Sequence, residues 1–303
     1  MRFMKYLVLA LSVVIITACS SNSEKENEGV SEQTLYERSQ RYLKASNWSS
    51  AIQVLQLIEE NFPFGTYAEN AQLELCYAYF RSGEYDLAIA SSDRFIRLHP
   101  QHRDVDYAYY MRGVASFYKD SAITTALIRD ISQRDSGSAK DSFNYFSQLL
   151  TKYPNSQYAL DAQRRMVYLR NILARHEIHV ANYYFKRGAY VVAANRGRYV
   201  VENMQGTPAV PDGLAVMAQA YHLLGMQTLA DDAAKVLVLN YPQHPSVKKG
   251  NFQYQKNIDE GTSWLSYLTL GLFGKRKFVN FDSRSVFNTQ YMEGNDVPSP
   301  REG

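Results

Sequence analysis

Six histidines and two cysteines are the whole supply of imidazole and thiol groups in this chain of 303 residues. The one spacing among them that resembles a metal motif is His176-Glu177-Ile178-His179. A helix offers two imidazoles to one zinc ion from positions i and i+4, with a glutamate between them as general base. Here the histidines stand at i and i+3 and no third ligand is evident, so the stretch reads as a partly exposed helix face. His99 and His102 flank Pro100 and read as loop residues. No Gly-x-Ser-x-Gly elbow, phosphate-binding loop or Gly-x-Gly-x-x-Gly run occurs. Cys76 stands among apolar residues and reads as a small buried hydrophobe. With Cys19 the only other cysteine, a disulfide framework and a Cys-based zinc site are excluded. The chain reads as a non-enzyme with no metal or cofactor. A cell-wall hydrolase built on His176 and Glu177 is the enzymatic alternative.

Cys19 carries a different chemistry. Arg2 and Lys5 precede an apolar stretch from Tyr6 to Ile16, which has the length of a secretory hydrophobic region and is too short to span a bilayer. It ends in Ile16-Thr17-Ala18-Cys19, which resembles a bacterial lipobox. That resemblance implies cleavage before Cys19 and lipidation of its thiol and new amino group. Two acyl chains, each contributing about 0.8 kcal/mol per buried CH₂, hold a protein stably on a membrane. Ser20, where aspartate would signal retention, implies the outer membrane by analogy with lipoprotein sorting, with the body in the periplasm. Residues 20–31 are polar and read as a flexible tether.

The elements behind this leader repeat. Four segments align: Leu35 to Pro63, Ala71 to Pro100, Val180 to Pro208 and Gly213 to Pro242. Each has an apolar-periodic stretch, a break at Ser46-Asn47, Gly83, Gly188 or Gly225, a second amphipathic stretch, and a closing proline. Ala51 and Ala88 are 37 residues apart, as are Ala193 and Ala230. Glycine relieves a turn between helices, proline cannot continue a helix, and a small residue lets two helices approach. A fifth unit is split, with Asp106 to Lys119 as its first helix, Asp120 to Gly137 inserted, and Ser138 to Pro154 as its second. Residues 157–186 contain no breaker and read as one or two long helices. The pattern resembles the tetratricopeptide repeat. The predicted fold is all-α, a tetratricopeptide-repeat solenoid of about five helix-turn-helix hairpins over 32–245, with N-terminal repeats at about 32–119 and C-terminal repeats at about 138–245. The 24 tyrosines fit hairpin seams and a concave face.

Charge and hydropathy narrow the partners. Once Arg2 and Lys5 leave with residues 1–18, 31 basic residues face 30 acidic ones, so the basic excess that nucleic acid requires is missing. No apolar run is long enough for a membrane-spanning helix in the mature chain.

Several stretches are more specific than the repeat demands: Phe62-Pro63-Phe64-Gly65, Asp93-Arg94-Phe95-Ile96-Arg97-Leu98, Asp106-Tyr107, Tyr110-Met111-Arg112-Gly113, Tyr153-Pro154-Asn155-Ser156-Gln157-Tyr158, Gly188-Ala189-Tyr190 and Asn195-Arg196. Together with the lipobox they resemble the BamD (ComL-like) family of outer-membrane assembly lipoproteins over residues 31 to about 245. The resemblance implies a scaffold of the β-barrel assembly (BAM) complex, lipid-anchored on the periplasmic face of the outer membrane, with BamA and other lipoproteins as partners. Its C-terminal repeats would hold the last POTRA domain of BamA, with Arg196, beside Asn195, meeting an acidic residue there. Its N-terminal repeats would hold unfolded outer-membrane proteins by an extended, aromatic-rich terminal signal. A groove of aromatics with arginine for a carboxylate suits such a ligand, and Phe64, Tyr67, Tyr77, Arg94 and Arg97 are the candidates. Tyr77 and the arginines can equally serve the repeat fold. A different repeat lipoprotein, coordinating cell-wall synthesis or division, is the rival reading.

Residues 246–303 extend past the last repeat. Trp264 to Phe273 is strongly apolar and is followed by Lys275-Arg276-Lys277. Such a segment can cap the last repeat, dock on a partner, or lie in a membrane interface. Pro298-Ser299-Pro300 suggests a disordered end.

Overall fold

The computed structural model describes residues 30–124, 136–255 and 278–287. The leader, Cys19, the tether up to residue 29, the apolar segment 264–273 and the last residues lie outside the described part.

Ten helices follow in order: α1 (Glu32–Lys44), α2 (Trp48–Asn61), α3 (Ala68–Ser82), α4 (Tyr85–Leu98), α5 (Val105–Thr124), α6 (Gly137–Lys152), α7 (Ala159–Lys186), α8 (Tyr190–Asn203), α9 (Val210–Leu223) and α10 (Gln227–Asn240). They form five helix-turn-helix hairpins among the described residues, the all-α tetratricopeptide-type fold that the periodicity predicts. A two-stranded antiparallel ribbon follows, β1 (Val247–Lys248) with β2 (Asn251–Phe252). Helix α5 runs to Thr124, so the insertion in the third hairpin is shorter than the sequence suggests. The stretch without a breaker is one helix, the 28-residue α7.

Local chemistry sets the hairpins. Ser31 and Asn47 cap α1 and α2, their side-chain oxygens accepting from Thr34 N and Ser50 N. Four of the intra-hairpin turns pass through a left-handed residue: Ser46 at φ 55°, Gly83 at 84°, Gly188 at 71° and Gly225 at 75°. Glycine takes this conformation freely, whereas a side chain there costs about 1–3 kcal/mol. Ser46→Gly is therefore expected to stabilise the first hairpin, by about 0.5–1 kcal/mol after the entropy of a freer unfolded chain is deducted. Urea unfolding checks this, and an unchanged or lower midpoint would contradict it.

The chain divides into two compact units, residues 1–78 and 79–303, with the division inside α3. In the first, Leu35, Ala51, Leu55, Ile58, Ala71, Leu75 and Cys76 form the core. Cys76 is fully buried and its thiol donates to Gln72 O, as expected of a packed hydrophobe. In the second, Ala88, Ala193 and Ala230 are fully buried, like Ala51 in the first, so every small residue of the repeat pattern marks a helix contact. The core around α7 to α10 also takes in Phe252 from β2 and Val279 and Phe281 from the far end of the chain.

Candidate binding sites

In the first unit, the turn Phe62 to Gly65 closes with Gly65 N donating to Phe62 O. Glu32, in the first turn of α1, reaches across to the start of α3, where its carboxylate accepts from Thr66 N at 3.0 Å and Tyr67 N at 2.7 Å. A Cβ on Gly65 would lie 2.1 Å from Glu32 Oε1, so the glycine makes room for this cap. Phe64 is left fully exposed. Tyr67 stacks on Tyr36 at 4.5 Å, and Tyr36 donates to Glu74 at 2.8 Å. Burial pushes the Glu74 carboxyl up, against hydrogen bonds from Gln40 and Tyr36 that favour its charged form. Tyr77 packs edge-on against Trp48 at 5.8 Å, which gives it a structural contact. In this unit Phe64 is exposed and the Tyr36–Tyr67 stack is half-buried.

Arg94 and Arg97 belong to the second unit and are exposed on α4. The buried member of that motif is Phe95, and the half-buried Asp93, neighbour of Arg94, accepts from Arg112 on α5. Arg112 also donates to Gln148 at 2.8 Å and lies 4.3 Å from the centre of the Tyr145 ring. Thus Asp93 and Arg112 tie α4, α5 and α6 together, leaving the two flanking arginines open to solvent. The third hairpin meets the fourth through similar polar stitching. Tyr110 stacks on Tyr158 at 4.7 Å and donates to Asp161, which also pairs with the buried Arg165.

Arg196 projects from α8 with its side chain 42% exposed, and its Nη1 donates to Glu177 Oε2 on α7 at 2.7 Å. Glu177 is 4% exposed. The helix face at 176–179, expected to be partly exposed, is closed at its centre, where Glu177 and Ile178 are buried. The glutamate is buried because it receives Arg196, while His176 and His179 are half-buried. Among the described residues no group of three or more His, Cys, Asp or Glu is placed to hold a metal ion. Asn195 is exposed and accepts from Arg198 at 2.9 Å. Beside the Arg196–Glu177 pair lies a cleft of about 500 Å³ between α6, α7 and α8, with Phe143, Leu173, Tyr199 and Met204 in its lining. The cleft is also lined by Lys140, Asn144, Arg170 and Asn203, so a half-free guanidinium beside it suits a protein surface that offers a carboxylate among mixed polar and apolar side chains.

Residues 278–287, which carry no periodicity, pack against the last two hairpins. Asn182 on α7 pairs with the main chain of Phe281 in both directions, donating to its carbonyl at 2.8 Å and accepting from its N–H at 2.9 Å. Asp212 on α9 is fully buried. Its carboxylate accepts from Arg175 at 2.8 Å, His244 at 3.1 Å, and Ser283 through N–H at 3.1 Å and Oγ at 2.8 Å. His244 Nδ1 accepts from Ser246 N, so its Nε2 carries the hydrogen donated to Asp212. Arg175 also reaches Asp282 at 3.1 Å. Burial acts to raise the Asp282 carboxyl, but hydrogen bonds from Arg284 and the charge of Arg175 outweigh it and hold it below the usual range.

Residues 28–237 match the model of a family described as outer membrane lipoprotein, YfiO. The chain belongs to the YfiO outer membrane lipoprotein family. It is 37% identical over 243 residues to outer membrane protein assembly factor BamD of Xylella fastidiosa (strain Temecula1), covering 80% of this chain and 83% of that one. It is 37% identical over 253 residues to the BamD of Neisseria meningitidis serogroup B, covering 81% and 95%. The BamD of Vibrio cholerae is 35% identical over 240 residues, covering 78% and 99%.

The family match takes in every candidate site residue from Phe64 to Arg196 and ends before β1, so residues 278–287 lie beyond it. Sequence reasoning singled out Arg196 but missed Glu177, reading it only as part of a false metal motif. It also missed Arg175, Asn182 and Asp212. The available signal was polarity out of place, since Asn182 sits inside a helix and Asp212 sits in the apolar run Ala209 to Ala220.

Proposed function

We propose that this lipoprotein is a scaffold of the BAM complex that helps fold and insert outer-membrane β-barrel proteins, and that it is not an enzyme. The observation that carries this is similarity to BamD assembly factors over about four-fifths of the chain. In this reading lipid on Cys19 anchors the body at the outer membrane and leaves it in the periplasm. The α7–α8 surface takes BamA. Arg196 has one donor spent on Glu177, which fixes the direction of the guanidinium, and its remaining donors meet an acidic residue of the POTRA region. Asn195 flanks that contact, and the neighbouring cleft accepts an apolar side chain. Unfolded outer-membrane proteins meet aromatic and basic residues of the N-terminal repeats: the exposed Phe64 and half-buried Tyr67 in the first unit, the exposed Arg94 and Arg97 in the second. Tyr77 supports the aromatic surface through Trp48.

The test is a mild-detergent pull-down of the lipidated protein. Wild type is expected to bring down a BamA-like barrel protein. Arg196→Glu is expected to lose at least nine-tenths of it, because the reversed charge faces both Glu177 and the partner's carboxylate. Recovery of the barrel by both forms would overturn the Arg196 site and keep the scaffold. Recovery by neither would overturn the assembly role.

A further inference from the structure

The contacts of residues 279–283 are those of a bound peptide. Asn182 reads the main chain at Phe281 through both its N–H and its carbonyl, a contact independent of the side chain there. The Phe281 ring is 1% exposed and sits between Phe185 at 5.9 Å and Phe252 at 6.4 Å. The next two residues are read by charge and hydrogen bonding, Asp282 by Arg175 and Ser283 by Asp212. The receiving surface also has polar contacts within itself. Arg175 pairs with Asp212, and Asp212 with His244, through contacts made without the segment. A surface whose charges are paired in advance is preorganised for a ligand. The segment is joined to Gln255 by 22 residues, 256–277, a length that reaches about 70 Å when extended.

We propose that the α7–α9 face is a peptide-binding groove with an aromatic–acidic–hydroxyl code, and that residues 278–287 are its resident ligand, separable from the fold that receives it. Within one chain, covalent attachment holds the segment at high effective concentration, so the groove stays filled.

The experiment inserts a site-specific protease site between residues 258 and 262 of the full chain, cleaves the folded protein, and adds a labelled peptide of residues 278–287. Labelled peptide is expected to exchange in saturably and to be displaced by unlabelled peptide, but not by a peptide with Phe281→Ala. Asn182→Ala in the cleaved protein should weaken binding about tenfold or more, since two main-chain hydrogen bonds are lost. Uncleaved wild type should take up little peptide. If the cleaved segment never exchanges, or if its departure unfolds α9 and α10 as judged by hydrogen exchange, the segment is part of the core and the proposal fails. Equal uptake by cleaved and uncleaved protein would place the peptide elsewhere and also overturn it.

Discussion

Asp212→Ala is expected to destabilise the second unit by about 3–5 kcal/mol, the cost of leaving buried charged and polar partners without their carboxylate. Asp212 is fully buried and takes hydrogen bonds from Arg175, His244 and Ser283, so one truncation orphans groups from three parts of the chain. Asp212→Asn keeps the shape but turns an amide NH₂ toward donors, and should cost about 2 kcal/mol. Repeat arrays lose stability locally. Amide protection should therefore collapse in α9, α10 and residues 278–287, while α1 and α2 keep theirs. Adding Arg175→Met to Asp212→Leu should recover part of the loss, because replacing both members of a buried pair spares the unpaired charge. A loss under 1 kcal/mol for Asp212→Ala, or uniform loss of protection, would refute the assignment of this cluster as the centre of the C-terminal hairpins.

The hairpins were legible because their signals are local. Gly83, Gly188 and Gly225 mark left-handed turns, and Ser46 takes the same conformation where the sequence offers Ser-Asn. Pro63, Pro100, Pro154 and Pro242 each fall two residues past the end of a second helix, and Pro208 lies in the turn between α8 and α9. The polar stitching was not legible, because its partners are far apart in the chain. Asp212 meets residues 37 positions before it and 71 after it. Residues 278–283 have no regular secondary structure, and side chains from α7 and α9 hold their backbone at Phe281 and Ser283. Arg94 and Arg97 drew attention as charges in a specific motif, yet the residue there that binds the next helices is Asp93. Arg196 was found through a family resemblance, while its buried counterpart Glu177 was hidden between two histidines.

Gly197→Val should separate α8 from α9 and cost about 3 kcal/mol or more, at the upper end of what overpacking costs. A Cβ at 197 would lie 2.7 Å from Gly213 O and 2.8 Å from Val216 Cγ1. The first contact is with backbone, so no rotamer change relieves it. Gly213 faces the same constraint from the other side, 3.1 Å from Gly197 O. The two glycines therefore set the spacing of the fourth and fifth hairpins. Gly197→Ala meets the same clash but gains about 1 kcal/mol of helix propensity, so its net cost should be smaller. Gly83→Ala is the contrast, with nothing within 4 Å of its Cβ and only left-handed strain to lose by. Thermal unfolding followed by helical signal ranks the three, and Gly197→Val as stable as wild type would refute the close crossing. The same variant separates charge from geometry at the neighbouring site. Moving α8 shifts Arg196 relative to Glu177 without touching either residue, so Gly197→Val should weaken the BamA pull-down together with its stability. Arg196→Gln, which can still donate a hydrogen bond to the buried Glu177 but no longer offers a guanidinium to a partner, should lose most of the pull-down while the unfolding midpoint moves less. If both variants lost partner and stability in proportion, the partner would be reading the packing of α8 and not the charge it displays.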